Sequence, residues 1–415
     1  MSLNRIGKDN IMKRILFFSL TYYPFIGGAE VAIKENTDRI STNNYKFDMI
    51  TLRFDGNLPK FERFGNIDIF RIGFSKSGAK ISDFKKFPLF VMKYLYPFWA
   101  FAYAVVLHKR KPYDAVMTVM TSYSSFAALF FKFLFPNVSY IARADDGDPF
   151  AYYARRARIA GPLFRWIFTK SDFLVATSSY LLSTVRSLGF KGPAAIVPNG
   201  VNSKHFSKIY AADELLKARR SFGFEEDSTI LITTSRLVKK NAVDDVIRAL
   251  PLLPGKVKFV ICGVGPDLEM LQKLASEKGV SDRVRFLGQI SHADLPKVLK
   301  ACDIFIRPSL SEGFGISFIE AMVAEIPVIA TQEGGISDFL YDPEKNPDKN
   351  PTGLAVNPRD PESISGAVLR YINDNELRTR IVKNARELVP ERYDWNIISR
   401  DMKEKVFDKV FSHAG

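Results

Sequence analysis

Two Rossmann-like, doubly wound α/β domains in tandem, facing each other across a cleft, form the architecture this chain predicts, on three observations. Its 415 residues exceed the roughly 250 to 300 at which a single core stops growing. Short β-branched apolar runs alternate with longer helical patterns, as βαβ units and parallel sheets require. The alternation pauses in a polar connection near residues 201–226 and then restarts.

In the first half the strand candidates are KRILFFSL (13–20), YKFDMITLR (45–53), IDIFRIG (67–73), YDAVMTVM (113–120), VSYIARA (138–144), DFLVATS (172–178) and AAIVPNG (194–200). The second series is TILITTSRL (229–237), KVKFVICG (256–263), RVRFLG (283–288), DIFIRPS (303–309), PVIAT (327–331) and TGLAV (352–356). Residues 1–200 and 201–393 are therefore the expected domains, and residues 394–412 carry helical apolar spacing. Open parallel sheets bind ligands at the carboxyl ends of their strands near the switch in strand order, so the site is expected between the domains.

Composition is that of a soluble protein, 47% apolar and 25% charged. Cys262 and Cys302 are the only cysteines and lie in apolar runs, which leaves no disulfide framework or structural zinc site and favours a reducing, cytoplasmic location. The run ILFFSL is shorter than the roughly 7 to 15 apolar residues of a signal sequence and reads as a buried strand. Charge is asymmetric: residues 1–200 hold 28 Lys and Arg against 14 Asp and Glu, whereas residues 201–415 hold 31 of each. The first half is thus expected to face something anionic: nucleic acid, a membrane surface or phosphorylated substrates.

The candidate motifs follow strands. In TYYPFIGGAE, Gly27 and Gly28 precede a helical pattern beginning near Glu30, which suits close backbone approach to a phosphate at a helix start or simply a tight turn. In TTSRLVKKNAVDDVIRAL, Arg236 leaves a strand while Lys239 and Lys240 precede a helix expected to open at Asn241. A guanidinium and an ammonium there suit a diphosphate, or are solvated surface charge. CGVGPDLEML has Gly263 and Gly265 after a strand, but Leu268 stands where a dinucleotide fingerprint needs its third glycine.

The stretch SEGFGISFIE places Glu312 at a loop after a strand, Gly313, Phe314 and Gly315 in a turn, and Glu320 on a helix over 316–324. Free N–H groups at that helix start, flanked by two carboxylate acceptors, suit a ligand with both phosphates and hydroxyls. The plainer alternative makes Glu312 a helix-dipole partner and Glu320 a surface residue. The glycine pair in QEGGISDF adds a similar loop on the same sheet edge.

With PFIGGAE, VATSSYL, IVPNGVN, SRLVKKNAVDDVIRAL, GVGP, VRFLGQIS, the long run from ACDIFIRPSLSEGFGISFIEAMVAEIPVIAT to GGISD, GLAV and YDW in this order, the chain resembles the GT-B retaining glycosyltransferases of family four. The resemblance implies a nucleotide-diphosphate-sugar donor, a UDP- or GDP-sugar, held mainly by the second domain, and a glycan or lipid-linked acceptor held by the first. It implies no tightly bound cofactor and no metal, and a terminal helix crossing back to the first domain; no nucleic acid is expected as partner, since no recognised binding module or aromatic ribonucleoprotein motif is present. By position, Glu312 would bond sugar hydroxyls and Glu320 the ribose. Gly313 to Gly315 would meet sugar or diphosphate, Arg236 and Lys240 the leaving phosphate, and Gly28 would let the first domain close. Gly27, Gly265 and Ile290 complete the expected donor site.

Two positions depart from that pattern. Asn241 stands where relatives often carry a phosphate-binding Lys, which makes Lys240 a shifted substitute. A His common after the strand equivalent to VSYIARA is missing, the chain reading ARADDGDP there; Arg143, Asp145 and Asp146 are the candidates on the acceptor side, Asp145 with a catalytic role. A same-fold nucleotide-sugar hydrolase or epimerase or a non-catalytic sugar-binding protein is the alternative, and a nucleic-acid-binding protein using the basic half a more distant one.

Residues 87–111, FPLFVMKYLYPFWAFAYAVVLHKRK, are apolar and aromatic with basic ends. Fourteen uncharged residues separate Lys93 from His108, fewer than the roughly 20 a membrane span needs. A buried helix or an interfacial one, with Lys85, Lys86 and Lys109 to Lys111 meeting anionic lipid, is expected. Arg155, Arg156, Arg158 and Arg165 in a second aromatic stretch point the same way, to a peripheral contact with the cytoplasmic membrane face.

Overall fold

The computed structural model describes residues 12–25, 27–79, 83, 86–87, 89–120, 123–148 and 161–412. Lys85, Arg155, Arg156 and Arg158 lie outside the described residues.

Among the described residues, fourteen strands form two sheets. The first contains β1 (Lys13–Phe18), β2 (Tyr45–Leu52), β3 (Phe61–Phe64), β4 (Ile67–Ile72), β5 (Ala115–Thr118), β6 (Ser139–Ala144), β7 (Phe173–Ala176) and β8 (Ala194–Ile196), in the order β3-β4-β2-β1-β5-β6-β7-β8. The second contains β9 (Thr229–Thr234), β10 (Val257–Cys262), β11 (Val284–Gly288), β12 (Ile304–Arg307), β13 (Val328–Ala330) and β14 (Leu354–Ala355), in the order β11-β10-β9-β12-β13-β14. Every pairing is parallel except β3 with β4.

Strand β3 was absent from the sequence expectation. Its four residues FERF alternate between exposed and half-buried at the sheet edge, so no apolar run marks them. Gly65, at φ +58°, turns the chain back into β4.

The continuous apolar runs follow from burial on both faces. Along β1, Leu16 and Phe18 join the core on one side of the sheet while Ile15 and Phe17 join the core on the other. In β9, Ile230 and Ile232 face one core and Leu231 the other.

The chain passes from the first sheet to the second at Gly200–Val201 and returns at Tyr393–Trp395. The two passages run side by side: the Val201 amide donates to the Tyr393 carbonyl at 2.8 Å and the Trp395 amide to Val201 at 3.2 Å. A side chain at Gly200 would strike the Trp395 ring, so the glycine lets the passages touch. Beyond them, Trp395, Ile398, Met402, Val406, Phe407 and Val410 pack in the same core cluster as Ile15 and Phe47. Tyr45 Oη donates to Asp408 at 2.6 Å. This last segment is helical over Trp395–Asp401 and Asp408–Ser412, with a π-helical turn between them.

Candidate active site

Strand order reverses twice, at β1 between β2 and β5, and at β9 between β10 and β12. Loops leaving both switch points line one cavity of about 770 Å3. Gly27 and Gly28 after β1 and Met120 after β5 come from the first sheet. Thr234 and Lys240 after β9, and Glu312, Phe314 and Gly315 after β12, come from the second. At this second reversal Thr234 Oγ1, Ser235 Oγ, Arg307 Nε and Ser309 Oγ are buried without a partner among the described residues. Buried polar atoms are normally paired; of these four residues, Thr234 and Arg307 line the cavity.

Glu312 and Glu320 both line the cavity. Gly315, at φ +93°, starts the helix Ile316–Val323 that carries Glu320. The Glu312 carboxylate is fixed at both oxygens, by Arg307 Nη2 at 2.6 Å and by the Gly313 amide at 3.2 Å. Arg307 is buried, donates from Nη1 to Ser317 Oγ at 2.9 Å and stacks 4.2 Å over the Phe318 ring. Burial pushes its guanidinium pKa down while Glu312 and Glu320 oppose that shift. Arg307 lines the cavity and was missed, because inside the strand IFIR it reads as an interruption of an apolar run.

Glu320 Oε1 lies 3.7 Å from His292 Nε2. The neighbouring Glu320 carboxylate raises the His292 pKa, against a smaller opposing effect of burial. His205 stacks on His292 with ring centroids 5.0 Å apart, and its Nε2 lies 2.8 Å from the His292 carbonyl oxygen. Both histidines line the cavity. Neither belongs to a motif that marks it in the sequence.

Lys240 lines the cavity and lies 3.1 Å from Asp148 of the first sheet's loop; Lys239 is exposed and does not line it. Asn241 does not cap a helix. Its Nδ2 donates to the Arg236 carbonyl at 2.6 Å, residues 239–241 form a 3₁₀ turn, Ala242 is left-handed at φ 50°, and the helix runs Val243–Ala249. Arg236 is exposed and is not part of the lining; the guanidinium inside the cavity is that of Arg307.

Gly265 and Ile290 also stand outside the lining. A side chain at Gly265 would strike the Leu237 backbone, and one at Gly263 the Ser235 carbonyl. These glycines therefore bring two loops of the second domain together. Ile290 packs against that domain's core. Phe314 is 2% exposed and meets the Phe339 and Tyr393 rings at 5.3 Å, so it anchors the turn.

On the first-sheet side, Asp145 and Asp146 line the cavity but Arg143 does not. Arg143 is buried beneath them. Its Nε donates to both Asp145 oxygens at 2.7 Å, and its Nη2 to Asn199 Oδ1 at 3.0 Å. It positions two lining side chains instead of presenting itself to an acceptor. Burial raises the Asp145 pKa despite that partner. Glu30, unremarked in the sequence beyond marking a helix start, accepts from Thr21 Oγ1 at 2.8 Å and from the Gly27 amide at 3.0 Å. It holds the glycine turn in place.

The two walls touch. Gly147 and Gly313 meet so closely that a Cβ on Gly147 would strike the Gly313 amide. Ser311 Oγ donates to the Gly147 carbonyl, the Ser179 amide donates to Asp338 at 2.8 Å, and a Cβ at Gly28 would sit 3.3 Å from Ile316. Among the described residues no group of three or more His, Cys, Asp or Glu is placed to hold a metal ion.

Two Rossmann-like domains with opposed switch points around one cleft define the GT-B class of fold. Residues 26–205 match the model of Glycosyltransferase Family 4, and residues 216–388 that of Glycosyl transferases group 1. The chain belongs to these glycosyltransferases. It is 27% identical over 402 residues to an uncharacterized glycosyltransferase of Methanocaldococcus jannaschii, covering 94% of this chain and 96% of that one. It is 31% identical over 259 residues to a GDP-mannose-dependent alpha-(1-6)-phosphatidylinositol monomannoside mannosyltransferase of Mycobacterium tuberculosis, covering 59% of this chain and 64% of that one. Among solved structures, sucrose-phosphate synthase from Thermosynechococcus elongatus superposes with a TM-score of 0.77 at 20% identity, over 97% of this chain and 100% of that one.

Proposed function

We propose that this glycosyltransferase is a retaining, metal-independent enzyme that moves a hexose-type sugar from a UDP- or GDP-sugar to a glycan or lipid-linked acceptor in cell-envelope glycan or glycolipid synthesis, on the cytoplasmic face of the membrane. The observation that carries this reading is the cavity between the facing switch points, where Glu312, Glu320, Lys240 and Asp145 meet. The mycobacterial relative, named for mannosyl transfer to a phosphatidylinositol mannoside, supports the acceptor class.

In this reading the second domain holds the donor. Glu320 accepts from ribose hydroxyls. Glu312, fixed by Arg307, accepts from sugar hydroxyls with its remaining lone pairs. Lys240 meets the diphosphate together with Arg236, which follows β9 two residues beyond Thr234 and has to move inward from its exposed position outside the lining. Asp145 and Asp146 orient the acceptor hydroxyl.

That hydroxyl attacks C1 from the side on which the diphosphate departs. Its oxygen forms the new bond, its proton passes to the leaving phosphate oxygen, and the configuration is kept. Lys240 and Arg236 offset the negative charge that grows on the diphosphate, which supplies the stabilisation a metal ion otherwise gives.

A thermal-shift panel of nucleotide sugars, followed by assay of nucleoside diphosphate release with and without acceptors and chelator, tests the reading. One UDP- or GDP-sugar is expected to raise Tm, and turnover to persist in chelator. Absence of any shift, or wild-type donor affinity in Glu320→Ala, removes the donor site. An inverted anomeric centre in the product removes the retaining course.

A further inference from the structure

Helices Leu89–Arg110, Tyr123–Leu134 and Pro162–Thr169 cover one face of the first sheet. Their inner sides, including Met92, Tyr96, Ala100, Ala127, Phe131 and Ile167, join a single core cluster. A helix that covers a sheet normally turns polar residues outward; these do not. Phe90, Tyr94, Phe98, Phe133, Leu134 and Trp166 are exposed, Phe98 to 59% and Leu134 to 52%.

These outer residues form one surface. Tyr94 meets Tyr123 at 5.0 Å between ring centroids, Phe98 stacks on Phe130 at 5.8 Å, and Phe133 meets Trp166 edge-on at 5.9 Å. The contacts therefore run across all three helices. Monomeric soluble proteins seldom leave an apolar surface of this extent open to water.

Charge identifies the occupant. The three helices, 22, 12 and 8 residues long, contain no Asp or Glu. Their cations are Lys93, Lys109, Arg110 and Arg165, with Lys111 directly after the first helix; Lys132 is turned inward and paired with Asp172 at 2.7 Å. Lys93 lies over the Phe90 and Tyr94 rings at 4.3 and 4.9 Å, an apolar stem along the surface with its charged head at the edge. Lys109, Arg110 and Lys111 are exposed. An aromatic plane edged by cations and free of carboxylates repels a second copy of itself and attracts an anionic lipid surface.

We infer that this three-helix face lies on an anionic bilayer, its aromatic side chains at the headgroup and acyl boundary and its lysines and arginines against lipid phosphates. Leu89–Arg110 is long and apolar enough to cross a membrane, but Met92, Tyr96 and Ala100 are fully buried in the core, so the helix lies flat. The first two helices run back along strands whose carboxyl ends open on the cavity, so Leu89 and Tyr123 stand at the cavity end of the face. Met120, three residues before Tyr123, lines the cavity itself. The face thus brings the cavity to the lipid surface, where a lipid-linked acceptor is presented.

The test is co-sedimentation of the full chain, without nucleotide sugar, with vesicles of phosphatidylcholine alone or with about one-third phosphatidylglycerol, at about 0.05 and 0.5 M salt. Wild type is expected to pellet with the anionic vesicles at low salt and to be released at high salt. Phe98→Ser with Trp166→Ser is expected to weaken partition roughly tenfold or more. Lys109→Glu with Arg110→Glu and Lys111→Glu is expected to weaken it roughly a hundredfold. Ile209→Ser with Met270→Ser, exposed apolar residues of the second domain, is expected to pellet as wild type, and all variants to melt as wild type.

No pelleting of wild type at low salt, or undiminished pelleting of the Phe98 and Trp166 variant, overturns the inference. So does a lipid-free dimer in sedimentation velocity that this variant abolishes, which assigns the face to a second copy. Donor binding is measured separately, so failure here leaves the reading of the cavity standing, and failure of that reading leaves this one.

Discussion

The ammonium of Lys240, carried by the second sheet, is held 3.1 Å from the carboxylate of Asp148, carried by the first. The cation best placed for a donor diphosphate is thus already bound to a carboxylate of the opposite domain. In the proposed reading, an entering diphosphate displaces it.

Removal of that competitor favours the donor. Each side chain is about one-third exposed, and a pair so exposed contributes about 0 to 1 kcal/mol. Asp148→Asn is therefore expected to tighten donor binding by up to about fivefold, with the gain shrinking at high salt. Isothermal titration at two ionic strengths reads both; weaker binding in the variant counts against the competition.

Arg307 and Arg236 are separable by stability. Arg307→Ala leaves the half-buried Glu312 carboxylate without its charged partner and is expected to cost about 1 to 3 kcal/mol of folding stability, together with donor binding. Arg236 is exposed, so Arg236→Ala is expected to leave stability within about 0.5 kcal/mol of wild type and to lower donor affinity alone. Urea unfolding beside donor titration distinguishes the two.

Contact between the walls depends on two glycines. Gly147→Ala would press a methyl group into the Gly313 amide and hold the loops apart. Since misplacement of about 1 Å costs roughly 100-fold in rate, kcat is expected to fall by about that factor while the donor still binds through the second domain. A steady-state comparison against melting checks this; unchanged kcat shows that turnover does not require the contact.

The His292–Glu320 pair sets a pH dependence. Its partner raises the His292 pKa in the folded chain. The pair therefore supports folding fully below the ordinary histidine value of about 6.5, and that support is lost as pH rises through the raised value. Loss of the imidazolium frees Glu320 for ribose hydroxyls. Donor Kd is expected to fall between about pH 6 and 8, and the slope to vanish in His292→Gln. A profile that stays unchanged in the variant assigns the titration elsewhere.

Both sheets were legible in the sequence because thirteen of the fourteen described strands fall in short, mostly apolar and β-branched runs set between helical patterns. The edge strand Phe61–Phe64 was not, since its alternating exposure leaves no run to find. Within the site, Glu312 and Glu320 could be anticipated because a glycine turn between strand and helix fixes their neighbourhood through local geometry. Asn199, His205 and His292 depend on contacts between segments far apart in the chain, whereas Arg307 bonds its near neighbours Glu312 and Ser317 and was hidden inside a strand. Arg143 was identified by position, but only the packed structure places it beneath Asp145, because burial is a property of neighbours the sequence does not adjoin.

The domains are linked by two passages that lie against each other at Val201 and Tyr393–Trp395. Paired straps on one edge leave the lobes free to swing about a single line while resisting twist and sideways slip, as a door does on a narrow post. A disulfide stapling those straps would hardly impede opening, whereas one between residues 147 and 313, where the two walls touch, would hold the cleft shut.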